Sequence, residues 1–295
     1  MRRPAGTQAP HPAFARFTPW HGIPDAGCQV NFLGVQTSVA YFDGMDATPQ
    51  VEVQTEYPPT DEEDIFEWID LLESVTEGEG VFTMVELGAG WGRWIANAAA
   101  ACRQIGRDCC LVGVEAEPTH FEWMREHLAR NRVQAHLIAA AVAARSGTVR
   151  FRTGAPADCY GQRILRSWRE RLDWRRTWGG RTRRVRALDL ATVFADAQLG
   201  VVDLIDLDVQ SAEAAVLEPA RSLLDERVRR AHIGTHPGDN EERLRVLFNG
   251  LGWHCVRDFP WGRTSETEFG AIAFQDGVQT WVNPGELATA ALPVD

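Results

Sequence analysis

Residues 85–92 read VELGAGWG and are the most informative stretch of the chain. An apolar run ends in an acid and is followed by glycine at alternate positions, Gly88, Gly90 and Gly92. Glycine lets a chain turn sharply out of a strand and lets its backbone lie against a ligand, because no Cβ stands in the way. A glycine turn between a strand and a helix is typical of α/β sheets that bind nucleotides. The stretch therefore predicts a site for a flat, nucleotide-like ligand.

Three acidic or basic residues around this turn favour S-adenosylmethionine over a dinucleotide. A dinucleotide loop has its third glycine at the sixth position, for helix packing around a pyrophosphate, and this chain has Arg93 there. Glu86 adds a negative charge that repels a pyrophosphate and attracts a cation. S-adenosylmethionine carries a sulfonium and an ammonium and has no phosphate. Glu115 ends the next apolar run, where an acid can accept both ribose hydroxyls.

Strand and helix patterns alternate along the rest of the chain, which predicts a mainly parallel sheet covered on both faces. We expect strands near 81–87, 110–115, 135–140, 201–207 and 229–235, helices near 92–105, 118–130, 187–197, 211–225 and 240–251, and a closing antiparallel pair at 253–259 and 269–275. A preceding helix over 61–74, capped by Asp61 or Thr60, should bury Ile65, Trp68, Ile69 and Leu72. Short alternating runs at 31–42 and 50–56 predict hairpin strands that cap the domain.

Four segments after the glycine turn carry a resemblance to a known family. They are EAEPTHFEWMREHLARN at 115–131, AAAVAARSGTV at 139–149, VRALDL at 185–190 and DLIDLDVQSAEAAVL at 203–217. Their order and spacing resemble FkbM-type methyltransferases over roughly residues 61–275. The resemblance implies a Rossmann-like class I methyltransferase with seven strands that uses S-adenosylmethionine to methylate a hydroxyl of a sugar or other natural product. It adds Ala141 and Asp208 to the expected cofactor-binding residues.

The resemblance also implies a division of the chain and two departures from the family. Residues 1–60 are expected to form an N-terminal cap segment, and residues 61–295 the S-adenosylmethionine-binding domain with an insertion at 162–186. The family usually has glycine where this chain has Ser211, two residues before Glu213, and lysine or another residue is common where Asp206 stands. Both departures lie beside the expected active site.

The candidate catalytic residues end two neighbouring strands. Asp208 follows the fourth core strand, Glu213 lies about one helical turn further on, and His236 follows the fifth strand. Histidine is the side chain that titrates near neutral pH, so we expect His236 to be the general base and Asp208 to orient the acceptor hydroxyl or the histidine. His232 shares the strand face of His236 and is expected to contact the substrate. Purely structural histidines are the alternative.

A metal site is possible here but not favoured. Asp206 and Asp208 share a strand face and could approach a divalent cation. Helix capping and hydration account for two aspartates more simply, so no metal ligands are predicted. The six cysteines also lack the paired spacing of a zinc or redox site.

The insertion at 162–186 carries ten arginines and two acids, an excess of eight positive charges (10 − 2). One interpretation is a lid over an anionic acceptor, because the guanidinium forks of Arg175 and Arg176 match phosphate or carboxylate and Trp178 can stack on a sugar or base. The other is an exposed arginine helix that pairs with acidic neighbours.

Composition limits the partners. A formal net charge of −11 argues against binding nucleic acid or an anionic membrane. The N-terminus lacks the apolar segment of a signal peptide, so we expect a cytoplasmic enzyme with a small-molecule substrate. The sequence does not set the oligomeric state, and a homodimer fits it.

Three other functions stay open at this point. Methylation of a nitrogen or a carboxylate would need little or no basic help. An NAD-dependent oxidoreductase is disfavoured by the displaced third glycine. A non-catalytic nucleotide-binding protein is disfavoured because an idle site need not keep buried acids such as Glu86 and Glu115.

Overall fold

The computed structural model describes residues 9–42, 44–153, 181–236 and 239–285. Apart from short 3-10 turns, the helices in these ranges are α1 (Asp64–Thr76), α2 (Arg93–Ile105), α3 (Pro118–Arg130), α4 (Leu190–Asp196), α5 (Glu213–Leu217), α6 (Arg221–Arg227) and α7 (Asn240–Leu251). The strands are β1 (His21–Gly22), β2 (Cys28–Val30), β3 (Gln36–Ser38), β4 (Val53–Gln54), β5 (Phe82–Leu87), β6 (Cys109–Glu115), β7 (His136–Ala139), β8 (Ala141–Val142), β9 (Gly147–Thr153), β10 (Arg181–Leu188), β11 (Val202–Leu207), β12 (Val228–Thr235), β13 (His254–Phe259), β14 (Thr264–Thr267), β15 (Gly270–Ala273) and β16 (Gly277–Val282).

Seven strands form the central sheet, in the order β13-β16-β12-β11-β5-β6-β7. The five strands from β12 to β7 are parallel neighbours, and β16 runs antiparallel to both β12 and β13. The predicted α/β fold with a mainly parallel sheet of seven strands is therefore confirmed. The carboxyl ends of β5, β6, β11 and β12 meet at one edge, which is where open α/β sheets bind ligands.

Two hydrophobic layers cover the two faces of the sheet. They bury β5 and β11 along their whole length. Successive residues of a strand point to opposite faces. Met84 and Leu204 accordingly pack in one cluster with α1 and α2, whereas Val85 and Ile205 pack in the other with α4 to α7. This packing fixes the strand ends that carry the candidate site.

Helix α1 attaches the N-terminal segment to the sheet. Its predicted apolar face is confirmed, since Ile65, Trp68, Ile69 and Leu72 are all buried. The predicted caps Asp61 and Thr60 are wrong, because the helix begins at Asp64 and its N-cap residue makes no side-chain hydrogen bond. Phe32 packs on Trp68 with ring centroids 4.9 Å apart, so the N-terminal segment shares the core of the main domain.

The N-terminal strands are shorter than the sequence predicts. β2 pairs with β3 and β1 pairs with β4, both antiparallel. Of the predicted run 31–42 only Gln36–Ser38 is a strand. The Asn31 side chain accepts hydrogen bonds from the backbone N–H groups of Leu33 and Val35, which holds residues 31–35 in a turn instead.

Two predictions near the C-terminus are wrong. The closing partner of β13 is β16 and not residues 269–275, which instead contain β15, paired with β14 outside the central sheet. The predicted helix 211–225 is broken into α5, a 3-10 turn at Glu218–Ala220 and α6. Pro219 explains the break because proline has no backbone N–H to continue the helix.

Residues after β7 form a small second sheet that the sequence did not predict. β10 pairs with β9 antiparallel and with β8 parallel. The end of the predicted insertion, residues 181–186, therefore belongs to a strand. Its remaining residues, Arg175, Arg176 and Trp178 included, lie outside the described residues. Among the described helices, none has the length and apolar character needed to cross a membrane.

Candidate active site

A first chamber, with about 670 Å³ of empty space when the solvent at its open side is included, lies at the carboxyl ends of β5, β6 and β11. Five of the residues expected to bind the cofactor line this chamber: Gly88, Gly90, Glu115, Ala141 and Asp208. Val142, Phe151 and Val209 add apolar surface, and His120 and Gln210 add polar groups. Apolar walls with a few convergent polar groups suit a nucleoside.

The three glycines serve different purposes in the turn. Gly88 has φ +85°, and a Cβ there would lie 1.9 Å from the carbonyl oxygen of Asp208, so no other residue fits. Gly92 has φ +71°, and its Cβ would lie 2.9 Å from Met124 Cγ, which shows that it allows α3 to pack closely. Gly90 has φ +54° and open space around it, so its backbone faces the chamber.

The carboxylate of Glu115 is fixed at the wall of the first chamber. Its two oxygens accept hydrogen bonds from the backbone N–H of Gly90 at 2.8 Å and of Glu117 at 2.6 Å. Burial raises the pKa of Glu115, and these hydrogen bonds oppose the rise. An oxygen has two lone pairs, so each can accept one further hydrogen bond from a ligand hydroxyl.

Glu86 lies elsewhere than its expected cofactor-binding role suggests. Its carboxylate accepts hydrogen bonds from the backbone N–H groups of Trp94 and Ile95, at 3.3 Å and 2.9 Å, and so satisfies the N-terminus of α2. Glu86 lines a second chamber rather than the first. Burial raises its pKa well above the usual value, with Asp206 contributing in the same direction.

The second chamber has about 1060 Å³ of empty space, with the solvent at its open side included, and lies next to the first. The two share Gly88, Gly90, Trp91, Asp208 and Gln210. Carboxyl groups dominate its other walls: Glu63, Asp64, Glu67, Glu86, Asp206 and Asp276. Burial and the neighbouring Asp206 raise the pKa of Glu67 well above its usual value.

Asp208 occupies the junction of the two chambers, and His236 lies beside it. Asp208 Oδ1 is 3.5 Å from His236 Nε2, which is also 3.5 Å from Asp276 Oδ1. On the other side of the ring, Nδ1 of His236 lies 3.0 Å from Glu213 Oε1. Glu213 is completely buried and accepts further hydrogen bonds from Asn240 Nδ2 and the Ser211 backbone N–H. His236 is not among the residues that line either chamber.

The expectation that His236 titrates near neutral pH is wrong. Burial disfavours the imidazolium, but the hydrogen bond to Glu213 and the charges of Asp208, Glu213 and Asp276 outweigh it and raise the pKa of His236 to about 9. Burial also raises the pKa of Asp208 to about 6, and the charge of His236 opposes that rise. The Asp208 side chain is 52% exposed, so solvent screening weakens its shift. These shifts favour an imidazolium beside a carboxylate at neutral pH. A protonated ring requires the amide oxygen of Gln210, rather than the Nε2 that lies 2.8 Å away, to face His236 Nε2.

His232 lines the second chamber, as expected for a substrate contact. Its ring is fixed through Nδ1 by a buried carboxylate. Nδ1 of His232 lies 2.7 Å from Asp70 Oδ2. Asp70 also accepts hydrogen bonds from Arg230 and Arg257, so a buried network of charges fixes the ring.

Two groups of described residues have the geometry to hold a metal ion. They are Glu67, Asp206 and His232, and Asp208, Glu213 and His236. In each group a histidine nitrogen already faces a buried carboxylate, Asp70 or Glu213. The donor sets fit a divalent cation only through the remaining ring nitrogen and the nearby carboxylates.

Sequence reasoning missed four residues of the site. Trp91 lies inside the glycine motif and lines both chambers, so its place in the motif was an available signal. Gln210 stands 2.8 Å from His236 Nε2, and Asn240 supports Glu213. Asp276 comes from the turn before β16, a strand that the sequence placed wrongly.

Comparison with known proteins agrees with this arrangement. A model of the methyltransferase FkbM domain matches residues 86–250, more than half of the chain. The chain belongs to the FkbM methyltransferase family. It is therefore a methyltransferase, and the matched FkbM region contains the glycine turn, Glu115, Asp208, Glu213 and His236.

Individual proteins that resemble this FkbM methyltransferase have low sequence identity to it. A protein of Jannaschia sp. (strain CCS1), described as a "putative methyltransferase", is 28% identical over 246 residues, which are 79% of this chain and 85% of that protein. The crystal structure of methyltransferase FkbM from Methylobacillus flagellatus KT is 10% identical with a TM-score of 0.41, covering 75% of this chain and 55% of that one. M. capricolum TrmK in complex with S-adenosyl-homocysteine is 5% identical with a TM-score of 0.38, covering 75% and 70%. These structural overlaps are too loose to support conclusions about the site.

Proposed function

We propose that this methyltransferase uses S-adenosylmethionine to methylate a hydroxyl of a small molecule, such as a sugar or another natural product. The observation that carries the proposal is the pair of neighbouring chambers with Asp208 in the wall of both. One chamber fits a nucleoside, with Glu115 ready to accept ribose hydroxyls. The other holds an acceptor, and the shared wall brings the two ligands together.

The cofactor supplies an activated methyl group, so the protein has to position the acceptor oxygen and exclude water. Gly88 brings the backbone of β5 against Asp208, which places the carboxylate where both chambers meet. Gly90 and Glu115 hold the nucleoside side of the site. Trp91 lines both chambers and packs near Tyr41 and Phe42 of the N-terminal segment.

Asp208 receives the proton of the acceptor hydroxyl in this proposal. Its pKa of about 6 leaves it ionised at neutral pH, whereas His236, with a pKa of about 9, is protonated. The imidazolium stabilises the carboxylate, and Glu213 orients the ring through Nδ1. The three expected catalytic residues thus act as one group, with the base moved from His236 to Asp208. A nitrogen or carboxylate acceptor would make Asp208 an orienting group only.

Three expectations from the sequence stay predictions. An anionic acceptor depends on Arg175 and Arg176, which lie outside the described residues, and seven of the 19 residues that line the second chamber are acids. A cytoplasmic location and a homodimer also stay predictions.

Calorimetry tests the cofactor. We expect S-adenosylmethionine and S-adenosylhomocysteine to bind and NAD to give no heat. Glu115→Ala should weaken binding by about 1.5–3 kcal/mol, because hydrogen bonds to a charged acceptor are lost. Glu122→Ala, an exposed acid on α3, is the matched control and should leave affinity unchanged. Tight binding of NAD without any response to S-adenosylmethionine would overturn the proposal.

The metal alternative has a separate test. A chelator should leave methyl transfer unchanged if Asp208 acts directly as a base. Activity that vanishes with chelator and returns with magnesium would mean that Asp208 and its neighbours hold a cation, which activates the acceptor oxygen by coordination.

A further inference from the structure

A third space, the cap groove, lies between the N-terminal segment and helices α1 and α2, with about 1690 Å³ of empty space. Apolar and aromatic side chains from β2 to α1 form much of its wall: Val30, Phe32, Val35, Met45, Tyr57 and Trp68. The groove shares Asp64, Trp91 and Arg93 with the second chamber, so the two spaces are neighbours across these side chains.

Asn97 gives the groove an unused hydrogen-bond donor. Asn31 Oδ1 accepts from the backbone N–H of Leu33 and Val35, at 3.0 Å and 3.1 Å, which fixes the orientation of the Asn31 amide. Its Nδ2 then donates to Asn97 Oδ1 at 2.7 Å. Nδ2 of Asn97 is left without a partner among the described residues, although Asn97 is only 1% exposed and lines the groove.

An orphaned buried donor is costly, because it loses water without gaining a protein partner. Trp91 repeats the pattern at the border of the groove, since its buried Nε1 also lacks a partner among the described residues. Two such donors on neighbouring walls indicate a ligand with oxygen atoms that accept hydrogen bonds. The apolar residues around them indicate that the rest of the ligand is apolar.

The charges of the groove argue against an anionic ligand. Arg93 is its one basic residue within the described chain, and Asp64 forms a salt bridge with it. Glu56 and Glu62 are exposed on the walls and add negative charge. A neutral ligand suits these walls better than a phosphate or a carboxylate.

We propose that the cap groove binds the apolar body of the acceptor, a neutral ring system whose ether or carbonyl oxygen accepts a hydrogen bond from Asn97 Nδ2. The acceptor hydroxyl then reaches the second chamber past Trp91. This assignment rests on the proposed function, because it treats the second chamber as the place of methyl transfer. It gives the N-terminal segment a role in choosing the acceptor.

Two glucosides that differ only in the group on the anomeric oxygen, phenyl or methyl, test the assignment. Phenyl β-D-glucopyranoside and methyl β-D-glucopyranoside are titrated by calorimetry into the full chain, with and without S-adenosylhomocysteine. We expect the phenyl compound to bind at least about tenfold more tightly, because burial of a ring removes much apolar surface from water. Equal affinities, or no heat from either compound at millimolar concentration, would overturn the assignment.

Two variants localise the binding. Met45→Trp fills the groove and should lower the affinity for the phenyl compound at least about tenfold, to the level of the methyl compound. Val51→Trp adds the same ring on the 58% exposed side of this segment and should leave the affinity unchanged. If Met45→Trp binds the phenyl compound as well as the native chain does, the groove is not the site.

Asn97→Leu removes the donor while keeping a similar volume, and should lower the affinity for the phenyl compound about threefold to tenfold. Circular dichroism checks that this buried variant folds, and Met45→Trp tests the groove independently if it does not. Failure of S-adenosylhomocysteine to bind would contradict the proposed function. Loss of the preference for phenyl while that cofactor product still binds would contradict the groove assignment alone.

Discussion

The two histidines in and just after β12, His232 and His236, each face a buried carboxylate. The residues around the two carboxylates differ. His232 places Nδ1 2.7 Å from Asp70, and His236 places Nδ1 3.0 Å from Glu213. Asp70 is also bound by Arg230 and Arg257, whereas the other donors to Glu213 are the neutral groups of Asn240 and Ser211. The two histidine–carboxylate pairs thus differ in the other donors to the carboxylate, which are cationic at Asp70 and neutral at Glu213.

The surrounding charges decide what each pair does. Burial alone would raise the pKa of Asp70, but His232, Arg257 and Arg230 hold it below its usual value, which makes this carboxylate a structural anchor. Around His236 the nearby acids raise the pKa of the ring to about 9. The positive charge of His236 can therefore stabilise the exposed carboxylate of Asp208. The negative charge of Asp70 is neutralised by the residues that surround it.

The largest effect on activity is expected at Asp208. Asp208→Asn keeps the shape of the side chain and removes its ability to take a proton, so kcat should fall about 10²–10⁴-fold. S-adenosylmethionine affinity by calorimetry should stay within a few fold. Glu242→Gln, an exposed acid on α7, serves as the control and should keep full activity. An Asp208→Asn variant with native kcat would show that no proton is taken there.

Asp70 should dominate stability instead. Asp70→Asn leaves Arg257 without its carboxylate partner among the described residues, whereas Arg230 keeps Glu73 and Glu77. The uncompensated charge of Arg257 should lower the free energy of unfolding by about 3–5 kcal/mol in urea titrations. Glu213→Gln can keep its hydrogen bonds to neutral donors and should cost less. A larger loss for Glu213→Gln than for Asp70→Asn would reverse the contrast between the two pairs.

The raised pKa of His236 predicts how stability depends on pH. A group whose pKa is higher in the folded chain stabilises it fully below its unfolded pKa, and the contribution disappears as pH rises through the folded value. The gap between native and His236→Gln unfolding free energies should therefore be at most roughly 3 kcal/mol below pH 6.5 and shrink towards pH 9. A gap that grows with pH would contradict the assigned charges.

The smallest effect is expected at Ser211, beside the Glu213 pair. Ser211 has φ +74°, a conformation that favours glycine, and it stands where the FkbM pattern usually has glycine. Ser211→Gly should raise the free energy of unfolding by about 1 kcal/mol. Ser265→Gly in strand β14 is the control and should lower it by about 0.5–1 kcal/mol. Equal effects of the two substitutions would mean that the backbone of Ser211 is not strained.

The sequence predicts the parts of the molecule that depend on local pattern. The glycine turn, the acid at Glu115 and the buried strands follow from spacing and apolar runs. β16 was misplaced because Gln279 and Thr280 look like surface residues, and they are buried only through contacts with distant Asp258 and Asp70. The pKa of His236 depends in the same way on Asp276, which comes from far along the chain. Residue types in the sequence identify the candidate site residues, whereas residues far along the chain determine the charge of those candidates.

The dependence of kcat/KM on pH tests the role of Asp208 most directly, once an acceptor is in hand. With Asp208 as the base and His236 as its protonated partner, kcat/KM should rise with a midpoint near pH 6 and then reach a plateau that extends to about pH 9. His236→Gln should move the rising limb to higher pH, because Asp208 loses a stabilising positive charge. A rate that climbs continuously to about pH 9 in the native enzyme, and loses that limb in His236→Gln, would contradict the account and return the base to His236.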